Sequence, residues 1–177
     1  MVIGAGTIGL MVVRMMKARG VQNCVVVDTN STRLRWASNW GATLSINPKT
    51  DNVASLVKSL TSGEGMDSVV DAVGYGETRA QSISLIRRGG KAVWIGLHEN
   101  MSSIPGNEIV RFEKQVIGSF SYSDDDFRRA VSLANNGFIE TTSGWLDTRS
   151  LNSGQESFQE QTTGSAPYSK ILLDPKR

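Results

Sequence analysis

Gly4-Ala5-Gly6-Thr7-Ile8-Gly9 stands at the head of this chain, and Val25-Val26-Val27-Asp28 follows it. The first stretch is a G-x-G-x-x-G turn, preceded by the apolar pair Val2-Ile3. A proline-free segment with Ile8, Leu10, Met11, Val12, Met15 and Met16 comes after it and predicts a helix over 7–19, ending near Gly20. In a strand–turn–helix setting the glycines have separate tasks. Gly4 allows the tight turn, Gly6 keeps side-chain bulk away from a pyrophosphate, and Gly9 lets the helix pack closely on the strand. With Thr7 and Ile8 they form a turn whose phosphate ligand would meet backbone N–H groups at the helix start. Asp28 closes the second strand about twenty residues beyond the turn, where a carboxylate accepts hydrogen bonds from an adenosine ribose. Its charge disfavours a 2′-phosphate, so NAD is expected over NADP. Arg33 reads either as an adenosine contact or as an exposed helix arginine.

The rest of the chain supplies the setting that this motif requires. Asn30 or Ser31 can cap a helix carrying Leu34, Trp36, Ala37 and Trp40, with Gly41 near its end. A strand at 43–46 precedes the Pro48 turn, and Asp51 is the expected cap of a helix with Val53, Leu56, Val57 and Leu60 on one face. Met66 to Val70 reads as a buried strand ending at Asp71, and Gly74-Tyr75-Gly76 leads into a helix with Ala80, Ile83 and Leu85. Strands at 91–95 and 116–120 follow, then a helix opened by Ser123 and Asp124 to Asp126. A short helix at 153–161 and a strand at 169–173 end the series. Such alternation predicts a doubly wound, mostly parallel Rossmann sheet with right-handed connections. The last elements fit a self-contained cofactor domain poorly and are expected to pack on a segment outside it.

Composition removes several function classes. No run reaches the roughly 18 apolar residues of a membrane helix, and glycines interrupt any secretory-signal pattern at the start. With 19 Lys and Arg scattered among 17 Asp and Glu, there is no coherent basic face for nucleic acid. One cysteine, Cys24, excludes an internal disulfide framework and fits a reducing cytoplasm. The glycine turn lacks the Lys-Ser/Thr of a phosphate-binding P-loop. A methyltransferase can use a related glycine turn and acidic strand end, and the turn alone leaves that open.

Further stretches narrow the choice. Val2 to Gly9, Asp71-Ala72-Val73-Gly74, Arg88-Gly89-Gly90-Lys91, Ile117-Gly118-Ser119-Phe120 and the ending Tyr168 to Pro175 together resemble medium-chain, zinc-dependent alcohol and polyol dehydrogenases. Arg33-Leu34 followed by Gly41-Ala42 strengthens the likeness to threonine- and sorbitol-dehydrogenase-like enzymes. The resemblance covers essentially the whole chain. It implies that Asp28 and Arg33 hold the adenosine half of NAD, that Ala72, Val73 and Gly74 lie near the cofactor, and that Ile95, Gly96, Leu97, Ser119 and Phe120 border the nicotinamide. Val73, Ile95 and Phe120 read equally well as residues that merely pack the sheet.

The same resemblance implies what to expect beyond the cofactor. Full-length relatives place a barrel-like catalytic domain, with zinc ligands and proton-transfer residues, before the glycine turn. Here the turn begins at residue 4, so the first strand is expected to be clipped and the catalytic domain absent. Residues 1–140 are expected to be the NAD-binding domain and 141–177 a C-terminal return segment. Cys24 and His98 do not make a zinc ligand set, so no catalytic residue and no metal site are assigned. Relatives pair their cofactor domains edge to edge, so a homodimer through 98–113 is expected, although a plain loop fits the same residues. The remaining alternative is a non-enzymatic nucleotide-binding or assembly module.

Overall fold

Three consecutive valines make a good strand only where both faces are covered. In the computed structural model, which describes residues 1–139, 144–164 and 166–177, Val25, Val26 and Val27 are all buried. They form β2 (Val25–Val27), which lies between β1 (Val2–Ile3) and β3 (Leu44–Ile46). On the other side of β1 come β4 (Met66–Asp71), β5 (Ile86–Trp94) and β6 (Gln115–Gly118). The six strands run in the order β3-β2-β1-β4-β5-β6, with every pairing parallel. This is the doubly wound, Rossmann-like sheet that the alternation predicts. The chain winds outward from β1 to β3 and then crosses back to β4, so the strand order reverses between β1 and β4. A ligand crevice is expected at the carboxyl ends of those two strands.

Alternation along the strands divides the core. Ile3, Val25, Val27 and Ile46 share a cluster with Val53 and Val57 of α3 (Val53–Leu60) and Ile83 of α4 (Gly76–Leu85). Val2 and Val26 occupy the alternate positions and are buried, as are Leu10 and Val13 of α1 (Thr7–Ala18) and Ala37 of α2 (Ser31–Trp40). Full burial of each such aliphatic side chain contributes about 1.5–3 kcal/mol. The buried Lys114 ammonium donates to the Ile83 carbonyl at 2.7 Å and to Glu108 at 3.2 Å, tying the end of α4 to α5 (Gly106–Arg111) and the start of β6.

Contacts divide the chain into two units, Met1–Ser119 and Phe120–Arg177. The second holds α6 (Asp124–Asn135), a parallel pair of β7 (Leu146–Ser150) and β8 (Lys170–Asp174), and α7 (Gly154–Thr163). Within it Arg149 joins strand to helix through Asp147 at 2.7 Å and Glu160 at 2.8 Å. The boundary expected at 140–141 lies outside the described residues. No helix among the described residues is long and apolar enough to cross a membrane.

Several local expectations change. Asn52, not Asp51, caps α3, accepting the Ser55 N–H at 2.9 Å, while Asp51 accepts the Asn47 N–H at 3.0 Å in the preceding turn. β5 starts at Ile86 instead of Lys91, because Ile86 already pairs with Met66 and a register shift absorbs Arg88-Gly89-Gly90 before Lys91 meets Ser68. β6 ends at Gly118, so Ser119 and Phe120 follow the strand. α5 and β7 were not expected. α5 buries no residue, and β7 (Leu-Asp-Thr-Arg-Ser) is too polar to read as a strand.

Candidate functional site

The glycine turn leaves β1 with Gly4 at φ +93°, a conformation that an L side chain rarely adopts. Its N–H donates to the Val27 carbonyl at 2.8 Å, which locks the turn onto β2. Gly9 sits in the first turns of α1, and a Cβ there would collide with the Gly4 carbonyl. Helix and strand can approach this closely only because Gly9 has no side chain. Gly6 differs: it precedes α1 without offering a capping side chain, and a Cβ built on it meets nothing within 4 Å. Open space therefore lies over the helix N-terminus, where an anion is favoured by the macrodipole.

Asp28 is the organiser of this end of the sheet. One carboxylate oxygen accepts the Ala5 N–H at 2.7 Å and the other accepts the Asn30 N–H at 2.7 Å. An ionised carboxylate offers about four acceptor sites, and main-chain N–H groups occupy two of them at Asp28. Asn30 in turn caps α2, its Oδ1 accepting from Thr32 and Arg33 at 2.9 and 3.2 Å. The result is a half-buried acidic group held rigid by main chain on both sides.

A cleft of about 460 Å³ opens here, lined by Ile3 and Gly4, Val27 and Asp28, Arg33, Pro48 and Lys49, and Val73, Tyr75, Glu77, Thr78 and Gln81. That volume is in the range of ordinary small-molecule sites. Its walls come from the carboxyl ends of β1, β2 and β4, the place where the strand order reverses.

Asp71 ends β4 as Asp28 ends β2, but it is wholly buried. Its Oδ1 accepts the N–H groups of Val73 and Gly74 at 2.9 and 3.1 Å, and its Oδ2 accepts the Thr78 hydroxyl at 3.1 Å. The Asp71 carbonyl accepts from Ile95 and Gly96 at 2.9 and 3.0 Å. Asp71 therefore shapes the Ala72-Val73-Gly74 turn and anchors the segment after β5. Gly74 and Gly96 meet back to back, each leaving no room for a Cβ on the other.

Of the residues singled out from sequence, Gly4, Asp28, Arg33 and Val73 line the cleft. Gly6, Thr7, Ile8 and Gly9 lie in the turn and first helix beside it, with Ile8 half exposed. Ala72, Gly74, Ile95 and Gly96 form the paired turns around Asp71, and Leu97 is 74% exposed just beyond them. Ser119 is held by its N–H on the Trp94 carbonyl at 2.9 Å, whereas Phe120 is 81% exposed and belongs to the second unit. Sequence reading missed Lys49, Tyr75, Glu77, Thr78 and Gln81. Only the strand order brings the turn after β3 and the start of α4 to the Asp28 cleft, although Asp71 at a strand end was a usable signal for the second turn.

Cys24 and His98 both sit in packed surroundings. Cys24 is buried, with its thiol 3.7 Å from the Met16 sulfur, and burial pushes the thiol pKa up, away from the thiolate that metals need. The His98 ring packs on Tyr75 with centroids 4.0 Å apart. Among the described residues no three His, Cys, Asp or Glu side chains converge as a metal site.

Known dehydrogenases resemble this chain in sequence and in fold. A sequence profile for the family described as zinc-binding dehydrogenase matches residues 7–136. L-threonine 3-dehydrogenase of Bacillus subtilis (strain 168) is 29% identical over 178 aligned positions, covering 98% of this chain and 50% of the relative. The solved structure of 2R,3R-butanediol dehydrogenase from Bacillus subtilis superposes with a TM-score of 0.85 at 28% identity, over 98% of this chain and 50% of that one. An alcohol dehydrogenase from E. coli CFT073, solved with NADH, shares the fold at TM-score 0.85 and 21% identity, over 97% of this chain and 50% of its own. The chain spans about half the length of the curated relatives it matches.

Proposed function

We propose, because this chain belongs to the zinc-binding dehydrogenase family, that it is the NAD-binding portion of a zinc-dependent alcohol or polyol oxidoreductase. The observation that carries this reading is Asp28, fixed by two main-chain N–H groups at the mouth of a cleft beside the open Gly6 turn. Asp28 and Arg33 would hold the adenosine ribose and base. The turn from Gly4 to Gly9 would receive the pyrophosphate, Ala72 to Gly74 would lie near the cofactor, and Ile95 to Leu97, Ser119 and Phe120 would border the nicotinamide. When bound, NAD supplies a hydride acceptor for the carbon of an alcohol. This chain's own part is to orient the two halves of the cofactor and to exclude a 2′-phosphate through the Asp28 charge. The assignment of 1–140 to cofactor binding and 141–177 to a return segment belongs to the same proposal, as does a place in the reducing cytoplasm.

Zinc belongs to the full-length relatives that the resemblance implies, and no zinc site is expected in this chain. We expect the 177-residue chain alone to turn over no alcohol. NADH fluorescence tests the binding reading: saturable enhancement that AMP reverses supports it, and no change with folded protein counts against it.

A second reading, assembly through 98–113, is favoured by Met101 and Val110, which are 82% and 79% exposed in the segment leading to β6, the last strand of the six-stranded sheet. Light scattering after size exclusion tests it. A homodimer is the expected result, and a monomer at every concentration contradicts it.

A further inference from the structure

Arg79 is a buried cation that makes no carboxylate ion pair among the described residues. From α4 its guanidinium donates to the Glu99 carbonyl and the Ser102 hydroxyl, both at 2.9 Å, and to the Gly96 carbonyl at 3.2 Å. The group lies 5.4 Å from the centre of the Trp94 ring. Trp94 is itself held, its indole N–H donating to Ser82 at 3.0 Å, while the Ser82 hydroxyl donates to the Arg79 carbonyl at 2.7 Å. Arg79 Nε is buried with no hydrogen-bond partner. Burying a charge in this way is costly, and an apolar side chain would fill the space without that cost.

What the cation holds is a single loop. Gly96, Glu99 and Ser102 span the segment between β5 and α5, whose outer side chains Leu97 and Met101 lie largely in solvent. The loop is also pinned to the cleft wall, since the Glu99 carboxylate accepts the Gly76 N–H at 2.7 Å and the Glu99 N–H donates to Gly74 at 2.9 Å. His98 packs on Tyr75, a residue that lines the cleft. Arg79 thus fastens from the inside a loop that is attached to the cleft wall at Gly74, Tyr75 and Gly76.

We propose that Arg79 is a positioning residue: by holding the Gly96–Ser102 loop it sets the cleft's affinity for the nicotinamide half of a dinucleotide, an inference that rests on the NAD reading above. With the loop already ordered, the ligand does not bear the entropy of ordering it.

The test titrates the full chain and its Arg79→Met and Arg79→Lys variants with NAD and with AMP, which has only the adenosine half. Arg79→Met weakens NAD binding about tenfold or more while AMP changes by less than about twofold, and Arg79→Lys recovers most of the NAD affinity. Equal losses for both ligands, or no loss for either, in a cooperatively melting variant overturn the assignment. Should Arg79→Met not fold, Ser102→Ala removes one acceptor and leaves the cation in place. It is then expected to weaken NAD about two- to fivefold with AMP unchanged, and unchanged NAD binding contradicts the proposal. Wild-type chain that binds neither ligand overturns the NAD reading itself. Wild-type chain that binds AMP as tightly as NAD overturns the role of Arg79 alone.

Discussion

Asp28 accepts the backbone N–H of Ala5 at 2.7 Å, across 23 residues of sequence. The residue that would recognise the ribose therefore also holds the turn that would receive the phosphates, so the two halves of the site cannot shift independently. Asp28→Ala leaves the Ala5 and Asn30 N–H groups without their acceptor and is expected to cost about 1–3 kcal/mol of stability. It also removes the charge that disfavours a 2′-phosphate. NAD affinity should fall about tenfold or more and the preference over NADP should narrow. Calorimetry with both cofactors, beside a denaturant melt, checks both effects.

Gly6 and Gly9 make opposite predictions although they are three positions apart. A Cβ at Gly9 runs into the Gly4 carbonyl, so Gly9→Ala must push α1 off β1 and is expected to cost about 3 kcal/mol or more. A Cβ at Gly6 meets no atom within 4 Å and φ is −70°, so Gly6→Ala should leave the melting temperature nearly unchanged. Yet the same methyl group would occupy the path of the pyrophosphate and weaken NAD binding. A Gly6→Ala chain with wild-type affinity contradicts the assigned ligand path.

Asp71 is wholly buried, and its three donors separate charge from geometry. Asp71→Asn keeps an oxygen for the Val73 and Gly74 N–H groups, and its new amide can donate to the Thr78 hydroxyl. It should cost about 1 kcal/mol, whereas Asp71→Ala orphans all three groups and should cost about 3 kcal/mol. Urea unfolding of the two variants gives the comparison. Equal losses would mean that the charge, not the turn geometry, is what matters.

A free amine on Met1 would make stability depend on pH. When the chain is made with a free amine on Met1, that group is buried, donates to the Ser68 carbonyl at 2.9 Å, and has its pKa pulled from about 8 to about 6, chiefly by burial. Between those values the unfolded chain binds more protons than the folded one, so stability rises with pH. The contribution is complete above about pH 8 and is lost as pH falls toward 6, a span of about 2–3 kcal/mol. Chemical denaturation across that range should show the rise. It should vanish when the amine is acetylated, and a flat profile for the free amine contradicts the burial.

The parts of the candidate site legible in the sequence are those in which a few neighbouring residues carry the whole constraint. Gly4 to Gly9 and the valine strand ending in Asp28 are local patterns, as is the Asn30 cap of α2. Lys49 and Tyr75 were hidden because they reach the Asp28 cleft only through the strand order, which places β1 between β2 and β4. Arg79 was hidden for a related reason. On its helix it reads as a polar position, and its acceptors at Gly96, Glu99 and Ser102 lie 17 to 23 residues away. Polar strands such as β7 escaped because nothing in Leu146 to Ser150 alternates; its pairing with β8 and the Arg149 ion pairs define it instead.

The most direct measurement is a calorimetric titration of the folded chain with NAD, run in parallel with NADP. Saturable binding of NAD and much weaker binding of NADP are expected, the difference arising at Asp28. Binding of neither cofactor by a chain that unfolds cooperatively, or equal binding of both, would contradict it.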